Sequence, residues 1–118
     1  MITSMIFFSL GVMAYAISQL QQQSKLRGQK AGTGFWDEGS YLRKYKKQFS
    51  DEGPAFPFST TALVWLTDGY HLMQFFFIKL FVASIILYSP MFSWWVDGLV
   101  YLGIWYATFN ITYKIFSK

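Results

Sequence analysis

The sequence predicts an all-α membrane protein with three transmembrane helices, and three observations support this prediction. The 118-residue chain is 53% hydrophobic and 22% aromatic but only 14% charged. Its mean hydropathy is positive, at +0.27, whereas a soluble domain of this size carries more charge and fewer large apolar residues. Three apolar stretches each approach the roughly 20 residues that a helix needs to cross a bilayer. We therefore expect a single integral membrane domain over residues 1–118.

The first predicted span covers about residues 2–21 and contains no charged residue. It lacks the basic start and the small-residue cleavage site of a secretory signal, so we expect a retained membrane helix. Ser4, Gly11 and Ser18 recur within it at seven-residue spacing. Small residues in such a pattern let helix backbones approach closely, and we interpret these three as a packing seam.

A basic linker over about residues 22–59 follows the first span. Within it, residues 37–49 place aromatic and aliphatic side chains on one helical face and basic side chains on the other. This pattern is typical of a short amphipathic helix that lies at the membrane interface. The side chains that we expect on lipid headgroups or another anionic surface are those of Arg43, Lys44, Lys46 and Lys47. A solvated charge run that packs against nothing is the alternative.

The second and third predicted spans cover about residues 60–88 and 92–115. Ser59 or Thr60 can cap the start of the second, because either hydroxyl can accept a hydrogen bond from a free backbone amide. Ser89 and Pro90 leave only a tight connection between the two spans, so we expect an antiparallel hairpin. Gly103 and Ala107 give the third span a second small-residue packing face.

Four polar residues interrupt the second span, and ionisable groups persist in hydrocarbon only when they are paired, hydrated or functional. In a hairpin, residues equally distant from Pro90 lie at similar depth. This geometry predicts a polar layer near the linker side of the membrane, built from Asp68, His71, Gln74, Asn110 and Lys114. We expect Lys79 to be a deeper buried charge, with Asp97 as the nearest carboxylate in a span.

The pair formed by Asp68 and His71 has several interpretations. Asp68 can lie in the interfacial zone and balance Lys114, and His71 can be a hydrogen-bonded structural residue, which is the interpretation that we favour. A D-x-x-H pair offers two metal ligands, but a metal site needs more. A proton relay is chemically feasible because imidazole titrates near neutral pH.

Basic residues cluster on one side of the predicted spans. The linker carries seven lysines and arginines, the connection after the second span carries none, and Lys114 and Lys118 fall on the linker's side. Since basic loops stay in the cytoplasm, we expect the N-terminus outside and the linker and C-terminus inside. The membrane would be a bacterial inner membrane or a phage internal membrane, and in a virion the basic side would face the genome.

The block from Ser59 to Gln74 reads S-T-T-x-L-V-W-x-T-D-G-x-H-L-x-Q and follows G-P-x-F-P-F. It resembles a block in uncharacterised small membrane proteins of bacteria and their phages. The resemblance covers little of the chain beyond these residues and implies no activity. It implies that the polar opening of the second span is a shared structural or functional signature.

The sequence favours two classes of function. The chain has no cysteine, no nucleophile elbow, no H-E-x-x-H motif and no glycine-rich phosphate loop, so we expect no enzyme, cofactor or metal. The first class is a structural or accessory subunit of a membrane assembly, with lipids and other membrane subunits or further copies of itself as partners. The second is a small oligomeric ion or proton conductor that uses Asp68, His71 and Lys79. Nucleic acid would be a partner only as the genome beneath a virion membrane.

Overall fold

The computed structural model describes residues 1–48 and 52–118, and its three long elements are all α-helices. They are α1 (Ile2–Gln22), α2 (Gly69–Ile86) and α3 (Trp94–Phe116). Of these, α1 and α2 are long and apolar enough to cross a membrane. The prediction of an all-helical chain is confirmed for the described residues, and two of the helices have the length and composition of a membrane span.

Helix α1 lies between α2 and α3 and packs against both. The amino group of Met1 donates to Ser89 Oγ at 2.9 Å, in the connection from Leu87 to Ser93 that joins α2 to α3. At its other end, the chain after α1 pairs with the chain after α3 through a hydrogen bond from Lys118 N to Lys25 O at 2.9 Å. We call this second end, where the linker meets the bundle, the linker end, and the opposite end the loop end.

Aromatic side chains fill the space between the three helices. Phe8 of α1 stacks on Phe81 of α2 and meets Tyr101 of α3 edge-on, both at centroid distances of 4.9 Å. About two turns further along α1, Tyr15 lies 4.9 Å from Phe77 and 5.4 Å from Trp105. Each of these α1 rings therefore contacts both neighbouring helices, which explains why α1 holds the bundle together.

Helix α2 begins nine residues later than the predicted span. Residues 60–67 form turns and a single 3-10 turn at Val64–Leu66, and Asp68, not Ser59 or Thr60, caps the helix. Ser59 instead donates its hydroxyl to Lys44 O at 2.7 Å, and it is fully buried by the folded linker. The prediction of a cap at Ser59 or Thr60 was wrong because the linker, not the start of a helix, uses the serine.

The predicted amphipathic helix over residues 37–49 does not form. A 3-10 helix at Ser40–Lys44 ends at Tyr45, whose backbone is extended and bridges Pro54. Lys46 N donates to Gly53 O at 2.9 Å and Ala55 N donates to Lys44 O at 2.8 Å. These backbone bonds turn the chain back on itself, which a continuous helix would prevent. Phe49, at the end of the predicted helix, lies outside the described residues.

Candidate functional site at the start of helix α2

Asp68 is the centre of a polar cluster at the linker end. Its backbone is extended, with φ −155° and ψ 162°, and its side chain is 1% exposed. Oδ1 accepts a hydrogen bond from His71 N at 3.0 Å, which satisfies one of the free amides of the first helical turn. Oδ2 accepts the Thr67 hydroxyl at 3.2 Å. The carboxylate thus fixes the residue at which α2 starts.

The His71 ring is oriented by the same carboxylate. Nδ1 donates to Asp68 Oδ2 at 2.7 Å, because an ionised carboxylate can only accept. The histidine side chain remains 28% exposed and packs edge-on against Tyr70. A carboxylate that orients an imidazole also occurs in metal sites and proton relays. In residues 1–48 and 52–118, however, no three His, Cys, Asp or Glu side chains lie close enough to hold a metal ion.

The linker folds over this helix start. Phe35 O accepts the Gly69 amide at 2.8 Å, and the Trp36 ring lies so close to Gly69 that a Cβ there would overlap it. Arg43 donates Nε to Thr67 O and Nη1 to Thr33 O, both at 3.1 Å. Phe35, Trp36 and Arg43 therefore hold the linker against the N-terminus of α2.

Gln74 connects the cluster to α1. Its amide Nε2 donates to Ser18 Oγ at 2.7 Å, and Ser18 in turn donates to Tyr15 O within α1. Ser18 is fully buried, so this bond lies inside the contact between the two helices. Gln74 was expected to face the third span, but α1 occupies that position.

The other two members of the predicted polar layer lie elsewhere. Asn110 is exposed and donates Nδ2 to Tyr106 O of its own helix at 2.7 Å, and Lys114 is exposed on α3. The expectation that residues level with each other in a hairpin would touch was wrong here, because α1 separates α2 from α3 at this depth. The cluster that does form joins Asp68, His71 and Gln74 to Ser18 and the linker.

The loop end contains a second buried carboxylate. Asp97, in the first turn of α3, is 1% exposed. Its Oδ2 accepts the Tyr88 hydroxyl at 2.6 Å and Met91 N at 3.2 Å, and its Oδ1 accepts Phe92 N at 3.1 Å. Asp97 thus ties the connection after α2 to the first turn of α3. Sequence reasoning gave Asp97 only as the nearest in-span carboxylate to Lys79, a few turns away, and missed this role.

Hydroxyl groups continue the polar contacts from Asp97 into the bundle. Ser4 Oγ donates to Ser84 O at 2.7 Å and lies 2.6 Å from Tyr101 Oη, which joins all three helices. A cavity of about 440 Å³ opens beside them, lined by Ser4, Phe8, Ser84, Ile85, Tyr88, Trp94, Asp97, Gly98 and Tyr101. None of Asp68, His71 and Lys79 lines this cavity.

Lys79 is exposed on the outer surface of the helix bundle, and its depth in a membrane stays a prediction. Its ammonium lies 5.4 Å from the centroid of the Phe75 ring one turn earlier on α2, an arrangement that allows a cation–π attraction. In the described part of the chain, the only acidic side chain within 4.0 Å of a nitrogen of a basic side chain is Asp68, beside His71. Asp97 is therefore not the partner of Lys79, since its oxygens bind Tyr88 and the connection.

The predicted small-residue faces and basic residues have distinct locations. Ser4, Gly11 and Ser18 are buried on α1 where it meets α2, and a Cβ on Gly11 would overlap the Phe81 ring. Gly103 and Ala107 are exposed on α3. Of the basic residues, Arg43 bonds to the linker and to Thr67, Lys44 lies over the Tyr45 ring, and Lys46 and Lys47 are exposed.

Comparisons with family models, with curated proteins and with solved structures give no match for this chain.

Proposed function

We propose that this protein is a non-enzymatic structural or accessory subunit of a membrane assembly, in a bacterial inner membrane or a phage internal membrane. The observation that carries the proposal is the exposure of apolar side chains along α2 and α3. Ile85, Ile86 and Leu102 are 75%, 74% and 65% exposed, and only 11% of the apolar window of α2 is buried. A core helix of a soluble protein buries most of such a window, whereas a helix in a bilayer exposes it to lipid.

Three spans are part of this proposal. At 1.5 Å per residue, the 23 residues of α3 reach roughly 35 Å, which exceeds the hydrocarbon thickness of about 30 Å. Met1 contacts the loop end, while the chain after α1 and the chain after α3 bond at the linker end. Nine of the ten basic residues, all except Lys79, lie in the linker or near the end of α3. The positive-inside rule then supports a cytoplasmic linker end.

A structural role is supported by how the polar groups are used. Asp68 caps a helix, Gln74 bonds α1 to α2, and Asp97 ties the connection after α2 to α3. These groups stabilise the contacts between helices and leave few free donors or acceptors for a substrate. Lys46 and Lys47 at the linker end are exposed and can attract anionic headgroups.

Assembly with other subunits is supported by the outer face of α3. Gly103 and Ala107 are exposed there, and a Cβ on Gly103 would meet no atom within 4 Å. Small residues on a lipid-facing helix permit close packing with another helix. The occupant of this face would be a second copy or another membrane subunit.

Cysteine accessibility tests the membrane topology directly, because the chain has no cysteine of its own. We expect Lys46→Cys to react with an impermeant maleimide only from the cytoplasmic side, and Met91→Cys only from the opposite side. Leu10→Cys is the control: Leu10 is 44% exposed in the middle of α1, so it should stay unreactive in a bilayer. Labelling of Leu10→Cys from the water would show a soluble bundle and overturn the proposal.

Flux measurements separate a structural subunit from a conductor. We expect protein reconstituted in liposomes to leave a proton or cation gradient intact, at the level of protein-free liposomes. A gradient that collapses with the unmodified protein but persists with His71→Ala would favour conduction through the Asp68–His71 pair and would refute the structural function.

A further inference from the structure

The side of α2 that faces away from α1 is an exposed apolar face with one cation. Its members include Ile78, Lys79, Val82, Ile85 and Ile86, all exposed. The side chains on the other side of α2, such as Gln74, Phe77 and Ser84, contact α1. The outward face therefore contributes nothing to the fold of this chain and is free to contact lipid or another helix.

Lys79 lies near the middle of this face. It is the eleventh residue of α2, so its Cα is about 15 Å along the axis from the helix start, close to half the hydrocarbon thickness. The Lys79 ammonium lies over the Phe75 ring, on the side of the linker end. A lysine at this depth is stabilised when it pairs with an acidic group in the same low-dielectric region.

Carboxylates of this chain do not supply that acidic group. The Asp68 carboxylate already accepts hydrogen bonds from Thr67 and His71, and the Asp97 carboxylate accepts three hydrogen bonds at the loop end. The remaining acidic residues among those described lie in the linker, outside the long helices: Asp37, Glu38 and Glu52. A second copy therefore offers, within the described ranges, no free carboxylate at the depth of Lys79.

We propose that the outward face of α2 binds a transmembrane helix of a different protein, and that Lys79 pairs with an aspartate or glutamate in the membrane-embedded part of that partner. The inference rests on the proposed function, since it requires α2 to lie in a bilayer. Charge complementarity identifies the occupant: an apolar helix matches the isoleucines and valine, and one buried carboxylate matches the lysine.

Energy transfer in phosphatidylcholine liposomes tests the pairing. The full chain carries a donor dye at Lys118→Cys, and synthetic single-span peptides of leucine and alanine carry an acceptor dye and a central Glu, Gln or Lys. We expect the Glu peptide to bind roughly fivefold more tightly than the Gln peptide, as for a favourable polar contact between membrane helices, and the Lys peptide to bind least. Lys79→Met should remove the preference for Glu, and Lys79→Arg should keep it.

Val82→Met is the matched control, because it changes the same face one turn further along without altering the charge. It should retain the preference for Glu. Equal binding of the Glu and Gln peptides, or a preference that survives Lys79→Met, would refute the pairing. Energy transfer between two copies that disappears with Lys79→Met would make the second copy the occupant and would also refute it.

Failure of this inference is distinguishable from failure of the proposed function. If Leu10→Cys is labelled from water, the chain is not embedded and both fail. If Leu10→Cys is protected and the Glu peptide shows no advantage, the subunit is a membrane protein and only the partner assignment is wrong.

Discussion

At the linker end, Asp68 bonds to residues within three positions of it, whereas at the loop end Asp97 bonds to residues five to nine positions earlier, in the connection between α2 and α3. Asp68 accepts from Thr67 and from the backbone and ring of His71. Asp97 accepts from the Tyr88 hydroxyl and from the amides of Met91 and Phe92, all in the connection. Both carboxylates are equally buried, yet one caps a helix and the other holds the connection between two helices.

This difference shows that the burial of a charged group does not by itself reveal its structural role. The linker end has other ties, since Phe35, Trp36 and Arg43 hold the start of α2 from the linker. At the loop end, Asp97 fixes the connection that follows α2 against the start of α3. Loss of Asp97 should therefore change tertiary structure, and loss of Asp68 should change mainly local helix structure.

Asp97→Ala should produce the largest effect. It leaves the Tyr88 hydroxyl and two backbone amides without their acceptor, so we expect Tm in detergent to fall by roughly 10 °C. Spin labels at Ile86→Cys and Trp95→Cys, both exposed positions, should show a broader and longer distance distribution. Tyr88→Phe removes one of the three donors and should give about a third of the effect. An unchanged distance distribution in Asp97→Ala would refute the tie between α2 and α3.

Asp68→Ala should be intermediate. Loss of the cap and of the bond to the His71 ring should lower the free energy of unfolding by about 2 kcal/mol. Hydrogen exchange should accelerate at the first amides of α2, while the labels at Ile86 and Trp95 keep their distance. Asp68→Asn retains an acceptor for His71 N and should lose about half as much. If the loop-end distance changed as it does in Asp97→Ala, the two aspartates would not have separate roles.

Gly11→Ala and Gly103→Ala should give the smallest effects, with opposite signs. A Cβ on Gly11 overlaps the Phe81 ring, so stability should fall by about 1 kcal/mol. Gly103 has open space, and alanine there should add up to about 1 kcal/mol through its higher helix propensity. The free energies of unfolding of the two variants, measured by denaturation in the same detergent, test this prediction. Equal stabilities would show that α1 and α2 do not approach closely at Gly11.

Much of the helical framework could be predicted from local composition. Residues 2–21 carry no charge, and α1 occupies Ile2–Gln22. The seven-residue spacing of Ser4, Gly11 and Ser18 places them on one side of a helix by geometry alone, and the structure has them where α1 meets α2. Such features depend on residues close together in the chain, so sequence patterns reveal them.

The candidate site was harder to predict because distant residues decide it. The apolar residues between Thr60 and Thr67 are compatible with a helix or with turns, and the docking of Phe35 and Trp36 at Gly69 accompanies the later start. Likewise, no local sequence pattern predicts which of the three apolar helices lies between the other two. The polar layer with Asn110 and Lys114 was wrong for this reason, since it assumed that α2 faces α3.

The central position of α1 also has a consequence for the order of synthesis. The helix that contacts both others is made first, and Ser84 and Tyr101, which bond to Ser4, leave the ribosome about 80 and 97 residues later. In the proposed membrane setting, α1 would persist without α2 and α3 until then. Its lack of charge and the bond of Ser18 to its own Tyr15 carbonyl are compatible with this. Of the three helices, α1 would thus be the template against which α2 and α3 then pack.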